Sequence, residues 1–138
     1  MPKNMLKILK QILPNYQQKL VSIFTRDQCT LNGSYYSKCE TIKDLNKLWE
    51  ELNQREDGKK VVHSSNTIIV DDSLIKCQLQ PDNQILPETF ELDGKKDEEL
   101  IWLKKYLMFI NEEFLKEKKE FDVKCWLILK PFQEFKKL

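Results

Sequence analysis

Residues 66–77 read NTIIVDDSLIKC, an uncharged, β-branched run closed by two adjacent aspartates and a serine. Residues 66–70 have the composition of a strand buried on both faces, as in a parallel sheet. Asp71-Asp72-Ser73 ends that strand and opens a short helical turn to about Leu79. Two neighbouring carboxylates repel each other unless a cation holds both ionised or one takes up a proton. Magnesium prefers hard oxygen ligands and is commonly held by one or two carboxylates, water and a substrate phosphate. The alternative is local: Asp72 or Ser73 caps the free N–H groups of the next turn. On this pattern alone, capping is the commoner use.

Outward from this segment, helical and extended patterns alternate. Met5, Ile8, Leu9, Ile12 and Leu13 recur at three- and four-residue intervals, predicting an amphipathic helix over residues 3–13 that Pro14-Asn15 stops. Residues 19–25 (KLVSIFT) read as a short apolar strand, followed by a loop with an Asn32-Gly33 turn signal. Thr41, with Asp44 three residues on, resembles a capping box before a helix over residues 42–52. Residues 53–65 are polar, contain Asp57-Gly58, and read as an exposed insertion. After the strand at 66–70, Pro81-Asp82-Asn83 is a turn and residues 84–87 a brief further strand. Beyond the Asp93-Gly94 loop, residues 97–119 form the longest helix, with Leu100, Leu103, Leu107, Ile110 and Phe114 expected to face inward. Residues 122–129 form a last helix, cut by Pro131. Such alternation implies an α/β fold with a mainly parallel sheet, in which ligands sit beyond the carboxyl ends of the strands.

At 138 residues the chain is expected to hold one modest core. With 23 basic and 22 acidic residues and a net charge of +1, direct nucleic-acid binding is not expected, since that rests on neutralising phosphates. The lysine runs at 116–119 and 135–138 read as solvated helix faces. Cys29, Cys39, Cys77 and Cys125 lie far apart and His63 is the single histidine, which argues against structural zinc and for reduced thiols in an intracellular compartment. No apolar run is long enough for a transmembrane segment, and residues 1–13 pattern as a helix and not as a secretory signal.

Several segments together resemble one family. TIIVDDSLIKC matches a strand–Asp-Asp-Ser-Pro pattern, with Leu74 in place of the proline; Pro81-Asp82-Asn83 matches a later Pro-acid-Asn turn; Lys43-Asp44-Leu45, continuing to Trp49, matches an upstream Lys-Asp-Leu segment; LVSIFTRDQC (20–29) matches an apolar strand followed by cysteine. In this order the chain is similar to the C-terminal half of the NLI-interacting-factor-like domains, which include the phosphatases of the RNA polymerase II C-terminal domain and belong to the haloacid dehalogenase superfamily. The resemblance covers residues 1–132, with 133–138 as a tail. It implies a partial Rossmann-like domain, with a mainly parallel sheet lacking the N-terminal nucleophile strand.

The resemblance also implies a magnesium-dependent aspartyl-phosphate mechanism acting on phosphoserine or phosphothreonine. Lys43 then matches the phosphate-supporting lysine, although by itself it reads as one more exposed lysine. Asp71 and Asp72 match the metal-site acids, with Asp72 favoured as the direct ligand. Ser73 and Asn83 match the turn residues around them. The family's nucleophile motif, DxDxT, occurs nowhere in these 138 residues. The expectation is therefore a phosphatase-derived, non-catalytic subunit held by protein partners in a larger complex, in the mitochondrion or the nucleus. The alternative is a magnesium-dependent protein Ser/Thr phosphatase of which this is the C-terminal half. Family members without catalysis are implied as precedent, one being the presequence receptor of the inner mitochondrial membrane translocase.

Overall fold

The computed structural model describes residues 3–32, 40–55, 61–92, 96–118 and 120–138. The Asn32-Gly33, Asp57-Gly58 and Asp93-Gly94 turns expected from sequence lie wholly or partly outside them. The architecture is α/β, with two small sheets and several helices, and the chain divides into two compact units, residues 1–41 and 42–138.

The first unit holds helix α1 (Lys3–Ile12), the short α2 (Tyr16–Lys19) and strand β1 (Thr30–Asn32), which pairs with β2 (Glu40–Ile42). The expected helix at 3–13 is present. The expected strand at 19–25 is not: residues 20–25 carry no ladder and lead into a 3₁₀ turn, Arg26–Gln28. That turn is tied by the Thr25 N–H, which donates to Gln28 Oε1 at 2.6 Å. Apolar composition alone does not make a strand, because the backbone also needs a partner for its N–H and C=O groups.

The second unit starts with α3 (Leu45–Arg55), three residues later than its apolar spacing suggests. Thr41 lies in β2 and does not cap it. Asp44 takes that place, its Oδ1 accepting from the Asn46 N–H at 3.0 Å. The expected insertion is anchored on its near side, where Asn53 Oδ1 accepts from the N–H groups of Val61 and Val62 and its Nδ2 donates to the Val62 carbonyl. Strand β3 (Ile69–Val70) runs parallel to β4 (Gln84–Ile85), with Ile69 beside Gln84 and Val70 beside Ile85. Neither residue of β3 is fully buried, and Val70 is exposed. The two-sided burial expected of residues 66–70 is thus not observed; the strand is short and paired to β4 alone among the described residues. A parallel pair requires a crossover of about a dozen residues. Here residues 71–83 supply it as two 3₁₀ turns, Ile75–Cys77 and Pro81–Asn83, so the aspartate pair opens the crossover itself.

The core is aromatic and lies on α4 (Glu99–Glu117), α5 (Val123–Leu129) and α6 (Phe132–Phe135). Tyr106 is fully enclosed, its ring 5.4 Å from Trp126 and 5.2 Å from both Phe132 and Phe135, and its hydroxyl donates to the Lys130 carbonyl at 2.6 Å. Tilted ring pairs at this spacing add to simple area burial. Asp122 caps α5, accepting from the Lys124 N–H, and also accepts from the Ser65 hydroxyl. The inward face of α4 is Tyr106 and Ile110, flanked by Trp102, Leu103 and Phe109. Of the stripe expected inside, Leu100, Leu107 and Phe114 are exposed. The helix is apolar nearly all round, so periodicity alone picks no face. The residues expected as a tail fold back: Gln133 donates to the Leu86 carbonyl, and Lys136 pairs with Glu88 and Glu99.

Candidate functional site

The site is assembled by bolting the entrance of α3 onto the β3–β4 crossover. The Lys43 N–H donates to the Lys76 carbonyl at 2.7 Å. Two residues on, the Leu45 N–H donates to Gln80 Oε1 at 3.0 Å, while Gln80 Nε2 donates to Asp44 Oδ1 at 3.1 Å. Gln84 Nε2, from β4, donates to the Asp71 carbonyl at 3.2 Å. With these ties the Lys43 ammonium reaches Asp71, 28 positions away in sequence, and forms an ion pair with its Oδ2. Asp71 Oδ1 accepts from the Ser73 N–H at 2.9 Å, and the Lys76 ammonium stands 4.0 Å from the same oxygen.

Electrostatics separates the two aspartates. Asp71 is buried, with both carboxylate oxygens engaged. Burial by itself raises its carboxyl pKa; the Lys43 hydrogen bond, the Ser73 N–H and the charges of both lysines outweigh this and leave it below the usual carboxylate range. Asp72 is exposed and joins no hydrogen bond or ion pair among the described residues. Cys77 lies buried nearby, its thiol pushed up by desolvation and by the Asp71 charge against the opposing lysines. A thiol raised in this way stays protonated at neutral pH and is no nucleophile.

Of the residues picked from sequence, Lys43, Asp71, Asp72 and Ser73 come together. Asn83 does not. It sits at the other end of the short strands, buried, with Nδ2 donating to the carbonyls of Ser64 and Thr67 at 2.6 and 2.7 Å. It clamps the turn that starts β4 and has no contact with the aspartates. Lys76, Gln80 and Gln84 were not legible as site residues. Lys76 carried a weak signal, being the one cation on the turn that follows the aspartates; the glutamines carried none, because their roles arise only when α3 and β4 meet the crossover.

No group of three or more His, Cys, Asp or Glu side chains suited to a metal ion occurs among the described residues. A magnesium ion needs fewer from the protein, since one carboxylate with water and substrate oxygens suffices. Asp72 fits that share, being a hard, open oxygen donor. Asp71, already shared between Lys43, Ser73 and Lys76, fits a supporting place beside it.

A parallel β-pair with a lysine and two acids at its carboxyl end places these side chains where α/β sheets bind their ligands. The family model described as NLI interacting factor-like phosphatase matches residues 1–119, and the chain belongs to that family. An uncharacterized FCP1 homology domain-containing protein of Schizosaccharomyces pombe is 35% identical over 113 residues, covering 77% of this chain and 46% of that protein. The chain thus spans about half the length of this curated relative. No solved structure matches it. No described helix is long and apolar enough to cross a membrane.

Proposed function

We propose that the chain carries the lysine-and-magnesium half of an NLI-interacting-factor-type, haloacid-dehalogenase-like phosphatase site. As these 138 residues stand, it binds a phosphorylated protein segment within a larger complex without hydrolysing it. The observation that carries this reading is the Lys43–Asp71 pair with Asp72 left open beside it, at the carboxyl end of β3. Magnesium, when bound, supplies charge that offsets the phosphate. Asp72 offers its carboxylate to the metal. Asp71 holds Lys43 in place, and the half-exposed Lys43 ammonium presents its remaining donors to a phosphate as a point charge. The DxDxT nucleophile motif is not among these residues, and the one buried thiol nearby is protonated. The free thiols Cys29, Cys77 and Cys125 suit a reducing compartment such as the nucleus or the mitochondrial matrix.

A second reading, a magnesium-dependent Ser/Thr phosphatase, is favoured by the completeness of the Lys43–Asp71–Asp72 set and requires a DxDxT strand not found in these residues. Amide NMR titration of the chain with magnesium and a phosphoserine peptide separates the two. Magnesium should perturb residues 71–77, Asp72→Asn should abolish that response, and Lys43→Met should weaken the peptide about tenfold, with no phosphate released. Release of phosphate that Asp72→Asn stops would establish the second reading. A magnesium response unchanged in Asp72→Asn would refute both and leave the aspartates as turn residues.

A further inference from the structure

The outward side of α4 carries three apolar doublets at seven-residue spacing: Leu100-Ile101, Leu107-Met108 and Phe114-Leu115. All six side chains are between 37% and 74% exposed, although the opposite side of the same helix builds the aromatic core. A helix apolar on both sides is one whose second side is also covered. Leu100, Leu103, Leu107 and Met108 already line a shallow groove along it. The doublets recur along one side of the helix, with Lys104 and Asn111 between them in the groove.

The charges between the doublets select the occupant. Lys104 and Lys105 follow the first doublet, and Glu112 and Glu113 precede the third. Glu113 is paired with Lys116 in its own helix, and Lys105 lies over the Trp102 ring at 4.3 Å. Lys104 and Glu112 join no ion pair among the described residues, Glu112 only feeling the Lys116 charge. A second copy of α4 laid parallel would set lysine on lysine and glutamate on glutamate. Laid antiparallel, with Met108 at the twofold axis, it sets Ile101 on Leu115 and Lys104 on Glu112, twice by symmetry.

We propose that the outward face of α4 is the interface of an antiparallel homodimer, centred on Met108. The surface is independent of the Lys43–Asp71 corner, so failure of either reading leaves the other standing. Sedimentation equilibrium of the 138-residue chain tests it. The chain should be dimeric in the micromolar range, and Met108→Glu should be monomeric with unchanged far-UV circular dichroism. Lys104→Glu and Glu112→Lys should each raise the dimer dissociation constant about five- to tenfold, and the double exchange should restore it. Residues 104 and 112 stand about 12 Å apart along one helix, so restoration reports a contact between copies. Should Met108→Glu lose its fold, the charge exchange still decides. A wild-type chain monomeric throughout, a dimer insensitive to the charge changes, or a double exchange that restores nothing overturns the proposal; in the first case the face belongs to a different protein segment.

Discussion

The two ends of the second unit are stabilised in opposite ways. At the aromatic end, Tyr106, Trp126, Phe132 and Phe135 exclude water; the Tyr106 hydroxyl has a backbone partner, and the buried Trp126 Nε1 has none among the described residues. At the crossover end, a buried carboxylate is kept ionised by two half-exposed lysines and a backbone N–H, with a second carboxylate left open beside it. The first arrangement is what a core requires. The second makes a desolvated carboxylate depend on its partners, the Lys43 pair, the Ser73 N–H and the Lys76 charge. A carboxylate held below its usual range at the end of a strand is the observation behind the proposed site.

Substitutions at the two ends should separate them. Tyr106→Ala should have the largest effect, about 3–5 kcal/mol in urea unfolding, because the cavity opens at the meeting point of three aromatic partners; Tyr106→Phe should lose about 1 kcal/mol for the single hydrogen bond. Asp71→Asn comes next, at about 2 kcal/mol, since charged hydrogen bonds are lost and Lys43 and Lys76 are left facing a neutral group. This loss should depend on pH. The folded chain holds the Asp71 carboxyl lower than the unfolded chain does, so its stabilisation is full above about pH 4 and is lost as pH falls through the folded value. Parallel unfolding curves for wild type and Asp71→Asn from neutral to acid pH should converge; a constant gap would remove Asp71's charge from the account. Asp72→Asn should be the smallest, within about 0.5 kcal/mol of wild type in the same assay. A large loss at Asp72 would instead make it a structural cap and erase the contrast between the two aspartates.

Much of this was readable from the chain, for identifiable reasons. The amphipathic spacing from Met5 to Leu13, the last helix stopped by Pro131 and the short strand after Pro81-Asp82-Asn83 are local signals, and each produced its element. Failures came where a local signal needed a distant partner. Residues 19–25 have strand composition but no ladder, and the apolar doublets of α4 match an inward face as well as Tyr106 and Ile110 do. Asn83 was matched to a Pro-acid-Asn turn and lies in that turn, where a parallel crossover carries it to the start of β4.

The TIIVDDSLIKC, Pro81-Asp82-Asn83, Lys43-Asp44-Leu45 and LVSIFTRDQC segments belong to the sequence alone, and in their order they were enough to indicate the family. Which aspartate is tied and which is open was decided only by tertiary structure. Asp71 and Asp72 are adjacent, chemically identical and equally acidic by composition. The crossover turns one toward Lys43, Lys76 and the Ser73 N–H and leaves the other exposed, because the partners that hold Asp71 come from a segment 28 positions away and from the turn after it.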